Sequence, residues 1–64
     1  MEENTIVDDE GCTLEIMESN DPKCVMLAAR GIDFDTVVLN MDLPRVRQLR
    51  EMAQRFEKLL EANQ

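Results

Sequence analysis

The sequence predicts an α+β fold, a three-stranded antiparallel β-meander followed by one long amphipathic helix packed on the sheet (β-β-β-α). Three short segments separated by turn residues have the composition of strands, and the last third of the chain repeats apolar residues every three or four positions. A chain of 64 residues is enough for one domain. We divide it into an acidic, flexible N-terminal arm, residues 1–11, and a single domain, residues 12–64.

The strands are predicted at residues 12–18, 24–30 and 35–41. In the first, Leu14 and Ile16 alternate with polar side chains, which is typical of a strand with one face in water. The second strand is apolar on both faces. Within the acidic arm, a short added strand at Thr5 to Val7 is the less favoured alternative.

The dense turn signal at residues 19–22 predicts a hairpin between the first two strands. Centred on this turn, facing residues have numbers that sum to about 42. Cys24 would then face Glu18, and Cys12 would face Arg30. This register separates the two cysteines by about a strand length, too far for a disulfide.

The helix is predicted to begin after Asp42, a good N-cap, with Pro44 in its first turn. It runs from residue 43 to residue 62, about 30 Å, whereas each strand spans about 20–23 Å. The apolar stripe of the helix therefore extends past the end of the sheet. The stripe contains Leu43, Val46, Leu49, Met52, Ala53, Phe56, Leu59 and Leu60.

Two features predict self-association. One helix can cover only one face of a strand that is apolar on both, and the end of the helix stripe has nothing within the chain to cover it. A homodimer is therefore favoured, with a monomer and a complex with a different protein as the alternatives. The predicted dimer interface comprises Met26, Ala28, Met52, Phe56, Leu59 and Leu60.

The residue inventory argues against catalysis. The chain has no histidine, and Ser19 is its only serine, so a Ser-His-acid or Cys-His arrangement is impossible within one chain. There is no CxxC pair and no glycine-rich phosphate loop. We predict a protein that is not an enzyme and uses no cofactor or metal. The acidic run at residues 8–10 is interpreted as a solvated arm, and a divalent-ion site is the disfavoured alternative.

Charge is divided unevenly along the chain. Residues 1–42 hold 11 acids and 2 bases, net -9, whereas residues 43–64 hold 3 acids and 5 bases, net +2. An acidic protein has little affinity for nucleic acid, so the predicted partners are a second copy and a protein with a basic surface. Asp33 and Asp35 are interpreted as turn-forming acids or, less favoured, as a recognition tip. The candidate partner-binding acids are Asp8, Asp9, Glu10, Glu15, Glu18, Asp33 and Asp35.

In size and charge, though not in any motif, the chain resembles phage-encoded inhibitors of host defence nucleases, such as anti-CRISPR and anti-restriction proteins. The resemblance implies an inhibitor that mimics nucleic acid and blocks a nucleic-acid-binding protein. The alternative is a structural or regulatory dimer that binds its partner through apolar strand or helix surfaces.

With no apolar run long enough for a membrane span and no basic, apolar leader, we expect a cytoplasmic protein with reduced thiols, in the host cytoplasm if it is phage-encoded.

Overall fold

The computed structural model describes residues 4–33 and 35–64 and contains one sheet and one helix. The strands are β1 Thr5–Val7, β2 Thr13–Glu18, β3 Val25–Arg30 and β4 Thr36–Met41, and the helix is α1 Leu43–Ala62. The sheet is antiparallel throughout, in the order β1-β2-β3-β4. The α+β class is confirmed, and β2, β3 and β4 each begin one residue later than predicted. The prediction of three strands is wrong, because the described chain has four.

The additional strand, β1, lies in the segment predicted to be a flexible arm. It pairs with the edge of β2, placing Ile6 opposite Leu14. The turn that follows is closed by Asp8, whose carboxylate Oδ1 accepts hydrogen bonds from the backbone N–H groups of Glu10 (2.9 Å) and Cys12 (2.8 Å). Gly11 completes this turn at φ 91°, a conformation that glycine adopts without steric cost. The less favoured alternative was therefore correct for residues 5–7, while residues 1–3 of the arm lie outside the described range.

The hairpin between β2 and β3 has a register one residue away from the predicted one. Facing residues sum to 43, so Glu18 faces Val25 and Thr13 faces Arg30, rather than Cys24 facing Glu18 and Cys12 facing Arg30. A shift of one residue moves every side chain of one strand to the other side relative to its partner. The observed register places Ile16 opposite Leu27 and Thr13 opposite Arg30, whereas the predicted register would have placed Glu15 opposite Leu27 and Thr13 opposite Ala29.

The register sorts the side chains of the sheet onto two different faces, because directly opposed residues point to the same side. We call one the apolar face and the other the mixed face. The apolar face carries Ile6, Leu14, Ile16, Glu18, Val25, Leu27, Ala29, Val37, Leu39 and Met41. The mixed face carries Thr5, Val7, Thr13, Glu15, Met17, Met26, Ala28, Arg30, Thr36, Val38 and Asn40.

The helix does not pack on the sheet, which corrects the predicted architecture. It contacts only β4, the strand that it directly follows. None of its residues is buried, and among the described residues Met41, 8% exposed at the end of β4, is the only buried hydrophobic side chain. Both faces of the sheet and the stripe of the helix are therefore open in a single chain.

The cause is the connection between β4 and α1, which consists of Asp42 alone. Asp42 has extended backbone angles (φ -87°, ψ -179°) and caps the helix as predicted. Its Oδ1 accepts from the backbone N–H of Arg45 at 3.2 Å, and its Oδ2 accepts from Arg45 Nη1 at 2.9 Å. The cap sets the residue at which the helix begins, and with the observed angles at Asp42 α1 leads away from the sheet.

The chain is correspondingly extended for its length. Its Cα radius of gyration is 13.4 Å, whereas a compact domain of this length has about 10.7 Å. Its accessible surface is 5941 Å², against about 4,200 Å² for a compact monomer of the same mass. The difference, about 1,700 Å² by that scaling, is the surface that an isolated chain leaves open.

The cap predicts a pH-dependent loss of stability on substitution of Asp42. The hydrogen bond from the Arg45 backbone N–H, with help from the Arg45 guanidinium, holds the pKa of Asp42 below its ordinary 3.8. The charged carboxylate thus stabilises the folded state above about pH 4, and this contribution is lost as the pH falls through the folded-state pKa. We expect Asp42→Ala to lower the thermal midpoint at pH 7 by about 4–8 °C.

Thermal melts followed by circular dichroism at pH 7 and pH 2, at one protein concentration, would measure this effect. Asp42→Asn is the matched control, because it keeps an oxygen acceptor for the helix N-terminus and should lose less than Asp42→Ala. An equal loss for Asp42→Ala at both pH values would contradict the role assigned to the charged carboxylate.

Candidate partner-binding surfaces

The apolar face of the sheet is the first candidate surface. Its β4 side chains are open, with Val37 62% and Leu39 52% exposed. Ile6 and Ile16 are exposed as well, while Leu14, Val25 and Leu27 are half-buried by their neighbours in the sheet. A contiguous apolar surface of this kind is a candidate interaction site in a folded protein. The sequence analysis placed Met26 and Ala28, which lie on the other face, in the dimer interface. It thereby left this face to be covered by the chain's own helix.

The apolar stripe of α1 is the second candidate surface. It contains four residues of the predicted dimer interface, all exposed: Met52, Phe56, Leu59 and Leu60. The Arg55 guanidinium carbon lies 5.5 Å from the centre of the Phe56 ring, within the range of a cation–π contact. The stripe therefore has the composition of an interface anchor, an aromatic ring flanked by aliphatic side chains and an arginine.

The two apolar surfaces meet at the junction between β4 and α1. An apolar groove of about 630 Å³ lies there, between the turn that precedes β3 and the first turns of the helix. Val25 and Met41 of the apolar face line it from one side, and Leu43, Pro44 and Val46 line it from the other. The apolar face and the stripe are thus continuous around a concave corner. Sequence reasoning missed this corner, although the single residue between strand and helix was the available signal.

The other two residues of the predicted dimer interface lie elsewhere. Met26 and Ala28 are half-buried on the mixed face, opposite Met17 and Glu15 respectively. They were assigned to the interface on the assumption that α1 covers the opposite face, and that assumption is wrong. The predicted interface residues therefore belong to two separate surfaces, and the role of Met26 and Ala28 stays a prediction.

The carboxylates form a third candidate surface at one end of the sheet. The β1–β2 and β3–β4 turns both lie at the end defined by the Thr13–Arg30 pair, two strand spacings or about 10 Å apart. They bring together five of the candidate acids, all exposed: Asp8, Asp9, Glu10, Asp33 and Asp35. Glu15 lies apart, within the mixed face, and Glu18 lies at the opposite end of β2.

This acidic end lies away from the junction with the helix, because Met41 pairs with Val25 at the other end of the strands. The carboxylate of Asp8 is already engaged by two backbone N–H groups. Across residues 4–33 and 35–64, no three side chains of the types that ligate metals are grouped so that they could hold an ion. No described helix is long and apolar enough to cross a membrane.

The two cysteines are free and lie at opposite ends of the sheet. Cys12 precedes β2 at the acidic end, and Cys24 precedes β3 near the junction groove. Partial burial raises the pKa of the Cys24 thiol. The nearby Asp21 carboxylate raises this pKa further, and it accepts a hydrogen bond from Cys24 Sγ at 3.7 Å. The Cys24 thiol is therefore held in its protonated, less reactive form.

No protein-family model, curated protein or solved structure matches the chain.

The environment of Cys24 predicts its reactivity. Asp21→Asn removes the negative charge beside the thiol but keeps the oxygen that accepts from the Lys23 backbone N–H at 2.9 Å in the same turn. The substitution should therefore lower the pKa of Cys24 and raise the rate of alkylation by iodoacetamide at pH 8 about two- to five-fold.

The rate at Cys12 provides an internal reference in the same experiment, because Cys12 lies at the far end of the sheet. Peptide mapping by mass spectrometry separates the two sites. An unchanged Cys24 rate, or an equal increase at Cys12, would mean that Asp21 does not control the thiol.

Proposed function

We propose that this protein is a non-enzymatic interaction protein that acts as a homodimer and binds, and thereby blocks, a macromolecular partner. The observation that carries the proposal is the near absence of a core within one chain: Met41 is the only buried hydrophobic among the described residues. A chain of 64 residues needs buried apolar area to hold its fold. A second copy supplies that area from the same surfaces.

Pairing of the apolar surfaces leaves the acidic end as the working surface of the dimer. The five carboxylates gathered there lie at the far end of the strands from the junction, so they stay accessible when the apolar face and the stripe are covered. Their charge suits a partner with a basic surface, and it gives the homodimer two such ends. We propose on this basis that the protein occupies the basic groove of a nucleic-acid-binding protein as a mimic of nucleic acid.

A specific observation also favours the alternative, in which a different protein binds the apolar surfaces directly. The junction groove and the stripe present Leu43, Val46 and Phe56 as an exposed apolar corner. In that case the acidic end serves only solubility. Free cysteines at both ends of the sheet suit a reducing compartment, and we propose a cytoplasmic location under either alternative.

The solution mass tests the homodimer. Light scattering on a sizing column should give twice the 7.4 kDa of one chain, at both low salt and 0.5 M NaCl, because apolar burial is not screened by ions. A mass of one chain at micromolar concentration would contradict the homodimer and would direct the search to a partner that covers the apolar corner.

Salt dependence tests charge mimicry, with an oligo-arginine peptide as the probe of basic surfaces. We expect the dissociation constant to rise at least about ten-fold between 50 mM and 0.5 M NaCl. Asp33→Asn at the acidic end should weaken binding, whereas Asp21→Asn, which removes the same charge at the other end of the sheet, should change it little. Equal effects of the two variants, or binding indifferent to salt, would contradict the acidic end as the working surface.

A further inference from the structure

We propose that the two copies of the homodimer exchange their helices, so that the stripe of each α1 lies on the apolar face of the other copy's sheet. This inference rests on the homodimer proposed above and specifies its contact surfaces. It commits the open apolar face of each sheet to one occupant, the helix of a second copy.

The dimensions of the two surfaces agree. The part of the stripe that begins after the capped first turn, residues 46–60, is about 21 Å long. Strands of six residues such as β2, β3 and β4 are about 20 Å long. A helix laid along the apolar face would therefore run from end to end of the strands with residues 46–60 of its stripe against them.

The chain's own helix does not take this place and contacts only β4. The connection is Asp42 alone, and its carboxylate is bonded to the Arg45 backbone N–H and guanidinium. Folding α1 back over its own sheet would require new backbone angles at this connection. The junction instead leaves a concave corner, which a helix arriving from a second molecule can enter.

Charge favours helix on sheet over the other symmetric pairings. Residues 1–42, which hold the sheet, carry net -9, and residues 43–64, which hold the helix, carry net +2. A sheet-to-sheet dimer would bring two strongly acidic bodies together, and a helix-to-helix dimer would pair two positive ones. Exchange places each positive helix on an acidic sheet, so it is the pairing with attraction between unlike charges.

The open area is also of the size that such a dimer needs. Each chain exposes about 1,700 Å² more than a compact monomer of its mass. If both copies bury this excess, the total of about 3,400 Å² falls within the 2,000–5,000 Å² of obligate homodimers. Burial of the excess would bring the surface of each copy to that of an ordinary folded domain.

Paired substitutions locate the contact. Leu39→Lys on the apolar face and Val38→Lys on the mixed face lie on adjacent residues of β4 with nearly equal exposure, 52% and 50%. On the helix, Phe56→Asp lies within the stripe and Gln54→Asp lies about 160° around the axis from it. Exchange predicts that Leu39→Lys and Phe56→Asp each raise the dimer dissociation constant at least about 100-fold, while Val38→Lys and Gln54→Asp leave it within about three-fold.

Mixing experiments then distinguish exchange from pairing of like surfaces. When a Leu39→Lys chain meets a Phe56→Asp chain, exchange leaves one helix-on-sheet contact unaltered and collects both substitutions, of opposite charge, in the other. When a chain with both substitutions meets the unsubstituted chain, each of the two contacts contains one substitution. Exchange therefore predicts that the first heterodimer is at least about ten-fold tighter than the second.

Native mass spectrometry resolves the heterodimers by mass, and circular dichroism at concentrations above the dissociation constant of each dimer checks that the associated chains keep the mixture of strand and helix. Equal affinity of the two heterodimers would overturn exchange while leaving the homodimer standing, since like-with-like pairing treats them identically. Loss of the dimer with Val38→Lys but not with Leu39→Lys would also overturn it, in favour of the mixed face that carries Met26 and Ala28. An unsubstituted chain with the mass of a monomer would overturn the homodimer itself.

Discussion

The architecture depends on the capped, one-residue connection at Asp42. Its carboxylate satisfies a backbone N–H at the start of the helix and pairs with Arg45, so the helix begins at once and in one direction. A longer loop would have let α1 turn back over the sheet and build an ordinary two-layer domain. Instead, the sheet keeps an uncovered apolar face, the helix keeps an uncovered stripe, and the two meet at a concave corner.

The register between β2 and β3 is the second constraint, because it determines which side chains lie on each face of the sheet. With Glu18 opposite Val25, one side of the sheet carries mostly aliphatic residues, and the other side carries Val7, Met17, Met26, Ala28 and Val38 among polar residues. The register shifted by one residue, which the centre of the turn suggested, would have placed Glu15 opposite Leu27 and Thr13 opposite Ala29. In the six-residue connection at 19–24, the Asp21 side chain and carbonyl accept hydrogen bonds from the backbone N–H groups of Lys23 and Cys24. The geometry of this loop, which the centre of the turn in the sequence does not show, helps to set the register.

Local features were therefore predictable, and long-range ones were not. The helix bounds, the Asp42 cap and the three six-residue strands followed from periodicity and turn chemistry to within one residue. β1 was only the less favoured alternative, because three residues between acidic neighbours carry too little alternation to stand out. The sequence analysis predicted the acidic residues as candidate partner-binding residues. It did not predict that two separate turns bring them to one end of the sheet, because this depends on strand order. The absence of packing between helix and sheet could not be predicted from the periodicity of apolar residues. That periodicity shows that the helix has an apolar stripe, but it does not show which surface covers the stripe.

The scarcity of buried side chains has a consequence for how such a protein is made and lost in a cell. In the proposed homodimer, Met41 and its few neighbours cannot hold a solitary chain, so folding and association become a single bimolecular event. The folded fraction then rises with the concentration of the chain, and newly made copies stay open to proteases until a second copy arrives. The cellular concentration of the chain would therefore decide its lifetime. Below the dissociation constant of the dimer the protein would be degraded quickly, and above it the protein would persist.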